Sequence, residues 1–200
     1  MATVTHGTLP VAGVDAARAC ACWAIINGAS MEEAARPALA DLLREDPGAA
    51  CAFMSVRSAD GAVRSFGRGR DGGMMQDVSF RLNHRALRRA LAGEDAFAAG
   101  GMHDGEALGP EAFAAADLCD GGRVVFSVRR PIGAAGYGAR ECAALNASLR
   151  ALSRAIECVA VRERYVQAPP AAPDGDSYHG LCCRSPAMRE LTTRLMRVAQ

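Results

Sequence analysis

The chain has 200 residues, half of them hydrophobic and 22% charged, and its formal net charge is +1. That composition supports a packed core and excludes wholesale disorder, and near-neutrality excludes a whole-domain electrostatic grip on nucleic acid or anionic lipid. No apolar run approaches the roughly eighteen residues of a membrane helix, and Met1–His6 lacks a signal-peptide pattern, so a cytoplasmic protein without a membrane partner is expected.

The first helix is expected over roughly Val11 to Asn27, with Val14, Ala17, Ala21 and Ile25 at helical spacing, Trp23 adding bulk, and Asn27-Gly28 as the stop. Ser30-Met31-Glu32-Glu33 reads as a capping box opening a second helix through Leu42 and Leu43. Pro37 inside it predicts a kink or a later start. Cys51–Val56 is of strand length, Asp60-Gly61 is a hairpin turn, and Ala62–Phe66 is the return strand. Gly67–Gly73 reads as a loop, and Asn83 caps a helix to about Ala92. Ala96–Ala99 reads as a short strand, Gly100–Pro110 as loop, and Ala112–Cys119 stays open between strand and helix. Asp120-Gly121-Gly122 is a turn before the clearest strand, Arg123–Arg130.

From Gly138 to about Val166 no proline or internal glycine interrupts a helix. Cys142, Leu145, Leu149, Leu152, Ile156 and Val159 step along it at heptad-like spacing. Two readings stay open: burial in the chain's own core, or core burial plus a homodimer seam. Residues 167–176 form a Pro-rich linker. In the 24 residues after it, Ser185-Pro186 opens a helix whose face carries Met188, Leu191, Leu195, Met196 and Val198.

This order of elements is an α+β pattern, an antiparallel sheet flanked by helices with a long C-terminal helix. Ser30–Leu43 with Ala50–Val56, Arg81–Gly93, and Arg123–Arg130 with Glu141–Glu157 together resemble a GAF domain, the small-molecule sensor module related to PAS domains. The resemblance covers residues 11–166. The stretch Tyr178–Leu191, with Arg184-Ser185-Pro186-Ala187-Met188 at its centre and Val198-Ala199 closing the following helix, is similar to the start of the AAA+ domain of sigma-54-dependent transcriptional activators. Cys182 and Cys183 depart from that family's usual Ile-Gly. The resemblance implies a GAF-type sensor (11–166), a linker (167–176) and the opening of a sigma-54 interaction domain (177–200). No Gly-rich phosphate loop is present, so ATP, sigma-54 RNA polymerase and DNA are expected to be reached only through domains outside this chain. The implied function is a signal-sensing regulatory domain that binds a small ligand or partner and relays to an ATPase. The alternative is a free-standing GAF-like binding protein or, in a third reading, a GAF-fold methionine sulfoxide reductase using Cys51 and Cys119.

No catalytic residue is assigned, and the ligand is not identified. The eight cysteines show neither CxxC pairs nor zinc-ligand spacing, and the four histidines form no triad or metal pattern, so no metal is expected. His103, Asp104 and Glu106 with Cys119 read as a solvated loop near a core thiol. All 23 basic residues are Arg, which reads as coding bias, and Arg64, Arg68 and Arg70 read as a solvated loop. A ligand pocket in this fold would lie between the sheet and the mid-domain helix, lined by Phe80, Leu82, His103, Phe113 and Phe126.

Overall fold

The computed structural model describes residues 14–103, 106–167, 177–178 and 181–182. The fold is α+β. Helices α1 (Val14–Asn27), α2 (Met31–Glu45), α3 (His84–Leu91) and α4 (Ala139–Gln167) flank five strands: β1 (Cys51–Arg57), β2 (Val63–Gly69), β3 (Ala96–His103), β4 (Glu106–Asp117) and β5 (Arg123–Arg129). The sheet is antiparallel throughout, in the order β2-β1-β5-β4-β3. The chain divides into two units, Met1–Glu163 and Arg164–Gln200. In the second, β6 (Ser177–Tyr178) pairs antiparallel with β7 (Leu181–Cys182). The linker at 168–176 and the helix expected after Ser185 lie outside the described residues.

Local chemistry sets the helix ends. Ser30 Oγ accepts from the Glu33 amide at 3.2 Å, and Glu33 Oε2 accepts from the Ala29 amide at 2.7 Å. This cap fixes the start of α2 at Met31, and the helix continues through Pro37. The later start expected from Pro37 does not occur, because the proline removes only one intrahelical donor. Asn83 Oδ1 caps α3 through the Ala86 amide. At the other end of α3, Arg57 donates to the Leu91 carbonyl (2.8 Å) and Arg123 to the Ala90 carbonyl (2.7 Å). Two cations thus meet the negative end of the helix dipole and dock α3 on the sheet.

Both faces of the sheet are covered. On one, Met54, Val56, Val124, Phe126 and Val128 pack with Ile25 of α1, Leu39 and Leu42 of α2, and Leu149, Leu152 and Ile156 of α4. On the other, Phe53, Phe113 and Val125 pack with Leu82 and with Ala86, Leu87 and Ala90 of α3. The heptad-like residues Cys142 to Val159 are all buried in the first of these cores. The seam therefore faces the chain's own sheet, since packing a helix on a sheet demands the same 3–4 spacing as packing on a partner helix. Trp23, expected to add bulk beside the buried stripe, is instead 70% exposed.

Two loop expectations are corrected. Residues 100–110 are mostly strand: β3 runs to His103 and β4 starts at Glu106, with an irregularity between Ala99 and Gly101. Alanine and glycine carry little strand preference, and the pairing of β3 with β4 supplies what they lack. Strand β2 extends through Gly67 to Gly69 because its pairing with β1 continues to Cys51↔Gly69.

Glu163 ties three elements together, accepting from the Met31 amide and from the Arg64 guanidinium. Burial pushes its carboxyl up, but the Arg64 and Met31 donors outweigh this and hold it below the ordinary carboxylate range. A depressed folded-state value contributes stability that is present above the unfolded pKa and lost as pH falls through the folded one. We expect urea stability to decline as pH falls below about 4.5, and Glu163→Gln to flatten that decline. An unchanged slope in the variant would count against this role.

Candidate functional site

Strand register aligns Gly69, Cys51, Arg129 and Glu111 in one row across β2, β1, β5 and β4, on the α3 face at one end of the sheet. Glu111 is 1% exposed, and Arg129 and Cys51 are also buried. Ser127 Oγ donates to Glu111 Oε1 at 2.7 Å, and Arg129 donates to Glu111 Oε2 through Nη2 (2.9 Å) and Nε (3.3 Å). The Arg129 guanidinium also lies 5.0 Å from the Phe53 ring centroid. Burial pushes the Glu111 carboxyl up, opposed by Arg129 and the Ser127 hydroxyl. Burial likewise raises the Cys51 thiol, opposed by Arg129. Cys51 is therefore a neutral thiol at physiological pH and a poor nucleophile.

The next row on this face is Gly67, Phe53, Ser127, Phe113 and Phe97. Phe97 and Phe113 stack at 5.1 Å between centroids. A Cβ on Gly67 would come within 3.0 Å of the Phe53 ring, so glycine makes room for that ring against β2.

Beyond the first row opens a cleft of about 1050 Å³, walled by Pro47–Ala50, Gly69 at the end of β2, Arg70, Asp71 and residues 73–77 after it, Phe80, Arg81 and Pro131. Its two cations differ. Arg70 is committed to structure, donating to the carbonyls of Ala49, Leu43 and Asp46 at the C-terminal end of α2. Arg81 is exposed and forms no ion pair among the described residues. Arg81 shares the cleft lining with Gly69, the β2 residue of the first row. Half-buried Met74 and Met75 and 78%-exposed Phe80 give the cleft an apolar wall. Asp77, just before Phe80, has φ +52°, a left-handed conformation uncommon for a residue with a side chain.

The five residues expected to line a pocket do not converge. Phe80 borders the cleft, while Leu82 and Phe113 belong to the α3-side core. Phe126 sits on the opposite face among the helices. His103 ends β3, and its side chain lies outside the described set. Glu111, Ser127, Arg129 and Arg81 carried no local signal, because Glu111 and Arg129 meet across 18 positions of sequence. Arg64 and Arg68, expected in a loop, sit on β2, Arg64 paired with Glu163 and Arg68 near the Arg36 carbonyl. Cys51 and Cys119 lie at opposite ends of the sheet: Asp117 is six residues along β4 from Glu111, about 20 Å at strand rise, and Cys119 lies beyond it. No metal-binding group of three His, Cys, Asp or Glu exists among the described residues. No helix among them is long and apolar enough to cross a membrane.

No family model matches the chain, and no curated protein matches it. Among solved structures it is similar to CepR2, an N-acylhomoserine lactone dependent LuxR family transcription factor from Burkholderia cenocepacia. The two are 13% identical with a TM-score of 0.50, and the match covers 76% of this chain and 98% of that one. At that identity the likeness establishes a shared fold: an antiparallel sheet flanked by helices, with a long helix closing the domain.

Proposed function

We propose that this chain is a signal-sensing regulatory domain, and that the cleft beside the Glu111–Arg129 row receives a small amphipathic molecule. The carrying observation is the pairing of an ion-pair-free Arg81 with an apolar wall of Met74, Met75 and Phe80, at the end of the sheet where the buried polar row begins. Arg81 suits a carboxylate or carbonyl head, and the methionines and Phe80 suit an acyl or alkyl body. The sheet likeness to a transcription factor dependent on N-acylhomoserine lactone supports the same reading.

The finer reading is a GAF-type sensor in a sigma-54-dependent regulator. The resemblance of residues 178–200 to the start of an AAA+ domain supports it, and α4 precedes that segment in the chain. The sensor would act in the cytoplasm, reaching polymerase and DNA through other domains. The far separation of Cys51 and Cys119 disfavours the reductase alternative.

Calorimetric titration of the full chain with octanoate and with N-octanoyl-homoserine lactone tests the site. Saturable binding of at least one is expected, weakened about tenfold or more by Arg81→Ala, as for a lost charge-assisted hydrogen bond. No binding of either, or binding indifferent to Arg81, would overturn the reading.

The homodimer belongs to the same proposal, on a different surface from the heptad-like seam. Trp23 and Ile26 on α1, and Ala143, Ala147 and Ala151 on α4, are exposed. Light scattering at micromolar concentration is expected to give twice the 20.9 kDa chain mass, and Trp23→Glu to return it to one. A single-chain mass for the unaltered protein sinks the dimer.

A further inference from the structure

On the face covered by α1, α2 and α4, across Pro47 from the cleft, a recess of about 290 Å³ lies between the end of α2, the end of β5 and the first turns of α4. Its floor is apolar and made of core residues: Leu42, Val128 and Leu145. Its rim is polar and locked. Tyr137 donates to Asp46 Oδ2 at 2.7 Å, and the Arg130 guanidinium stacks 4.1 Å from the Tyr137 ring. Arg130 also donates to Glu141 at 2.6 Å, while Glu141 Oε2 takes the Gly138 amide at 2.7 Å. The donors and acceptors of this network satisfy one another.

One acceptor stands apart. Glu45 lines the recess, and its Oε1 takes Arg18 (3.2 Å) and Arg44 (3.3 Å). Its Oε2 accepts no hydrogen bond among the described residues. The only cation in the lining, Arg130, is already engaged by Glu141 and Asp46. An anion entering here would face Glu45, Asp46 and Glu141 with no free cation to meet it. A cationic donor would find the carboxylates of Glu45, Asp46 and Glu141 around an apolar floor.

We infer that this recess binds a small primary amine, with its ammonium on Glu45 and a short hydrocarbon body on Leu42, Val128 and Leu145. The volume admits roughly ten non-hydrogen atoms, at about 30 Å³ each by the measure of liquid water. Such a ligand would touch α2, β5 and the start of α4 together, with Pro47 between it and the cleft and without contact to Arg81.

Calorimetric titration of the full chain at pH 7.5 with hexylamine and with hexanoate tests this. Hexylamine is expected to bind saturably at one site and hexanoate not at all. Glu45→Gln should weaken hexylamine about tenfold or more, as for loss of a charged acceptor. Ala144→Trp, at an exposed position on the rim, should abolish binding while circular dichroism stays native, and Arg81→Ala should leave it unchanged. If Ala144→Trp misfolds, Glu45→Gln decides alone. Hexanoate binding as tightly as hexylamine, hexylamine affinity unaltered by Glu45→Gln, or loss of binding in Arg81→Ala would each overturn the assignment.

Discussion

Replacing Glu111 with alanine is expected to cost about 3–5 kcal/mol of folding stability, read as a fall in urea midpoint at constant slope. Glu111 is buried at one end of the sheet and is the acceptor for both Ser127 and Arg129. Truncation leaves a guanidinium in a nearly dry site without its counter-charge, and most of the loss comes from that stranded cation. The double variant Glu111→Ala/Arg129→Met should recover much of the loss, since removing both partners strands neither. The pH dependence has a definite sign. Burial raises the Glu111 carboxyl in the fold, so its contribution is fully present below the unfolded pKa and is lost as pH rises through the folded value. Glu111→Gln has nothing to titrate there. Relative to it, the unaltered chain should lose stability as pH rises from about 4.3, the unperturbed Glu value. A difference that is flat or grows with pH would contradict that direction.

Phe126→Ala is expected to cost a similar amount, about 3–5 kcal/mol, through lost burial and the cavity left among Leu149, Leu152 and Ile156. Its effect on ligand binding separates the two faces of the sheet. Because Phe126 faces the helices, octanoate or lactone affinity for the folded fraction should stay within about twofold of the unaltered chain, a change smaller than that from one lost contact. Phe80→Ala removes an exposed ring from the cleft wall, and should lower affinity with little change in stability. Equal losses of affinity in the two variants would mean that the ligand does not sit on the α3 face.

The elements that could be read in advance are those whose cause is local. Ser30 with Glu33, Asn83 before α3, the turn at Asp60-Gly61 and the β-branched run of β5 all declare themselves within four or five residues. The spacing along α4 also revealed a buried face, but not what buries it. Strands β3 and β4 were obscured because alanine and glycine fill Ala96–Ala116, where the pairing of β3 with β4, and of the second half of β4 with β5, decides the structure. The site was the least legible part. Whether Phe126 shares a face with Phe113 depends on Phe113 lying opposite Ser127, and register of that kind appears only once the strands are paired. Nothing within a few residues of either links Glu111 to Arg129; the sheet brings them together.

The end of β5 places Arg129 and Arg130 side by side in sequence and on opposite sides of the sheet, as strand alternation requires. Arg129 reaches Glu111 on the cleft side, and Arg130 reaches Asp46, Tyr137 and Glu141 at the recess. A single peptide unit, about 3.8 Å between Cα atoms, is thus a lever whose two arms end in different sites. Its pivot is pinned on both sides, by the Ala50 amide on the Arg129 carbonyl and by the Arg130 amide on the Pro110 carbonyl. Any ligand that tilts this peptide from one side does work on the other, and by thermodynamic linkage the coupling is equal in both directions.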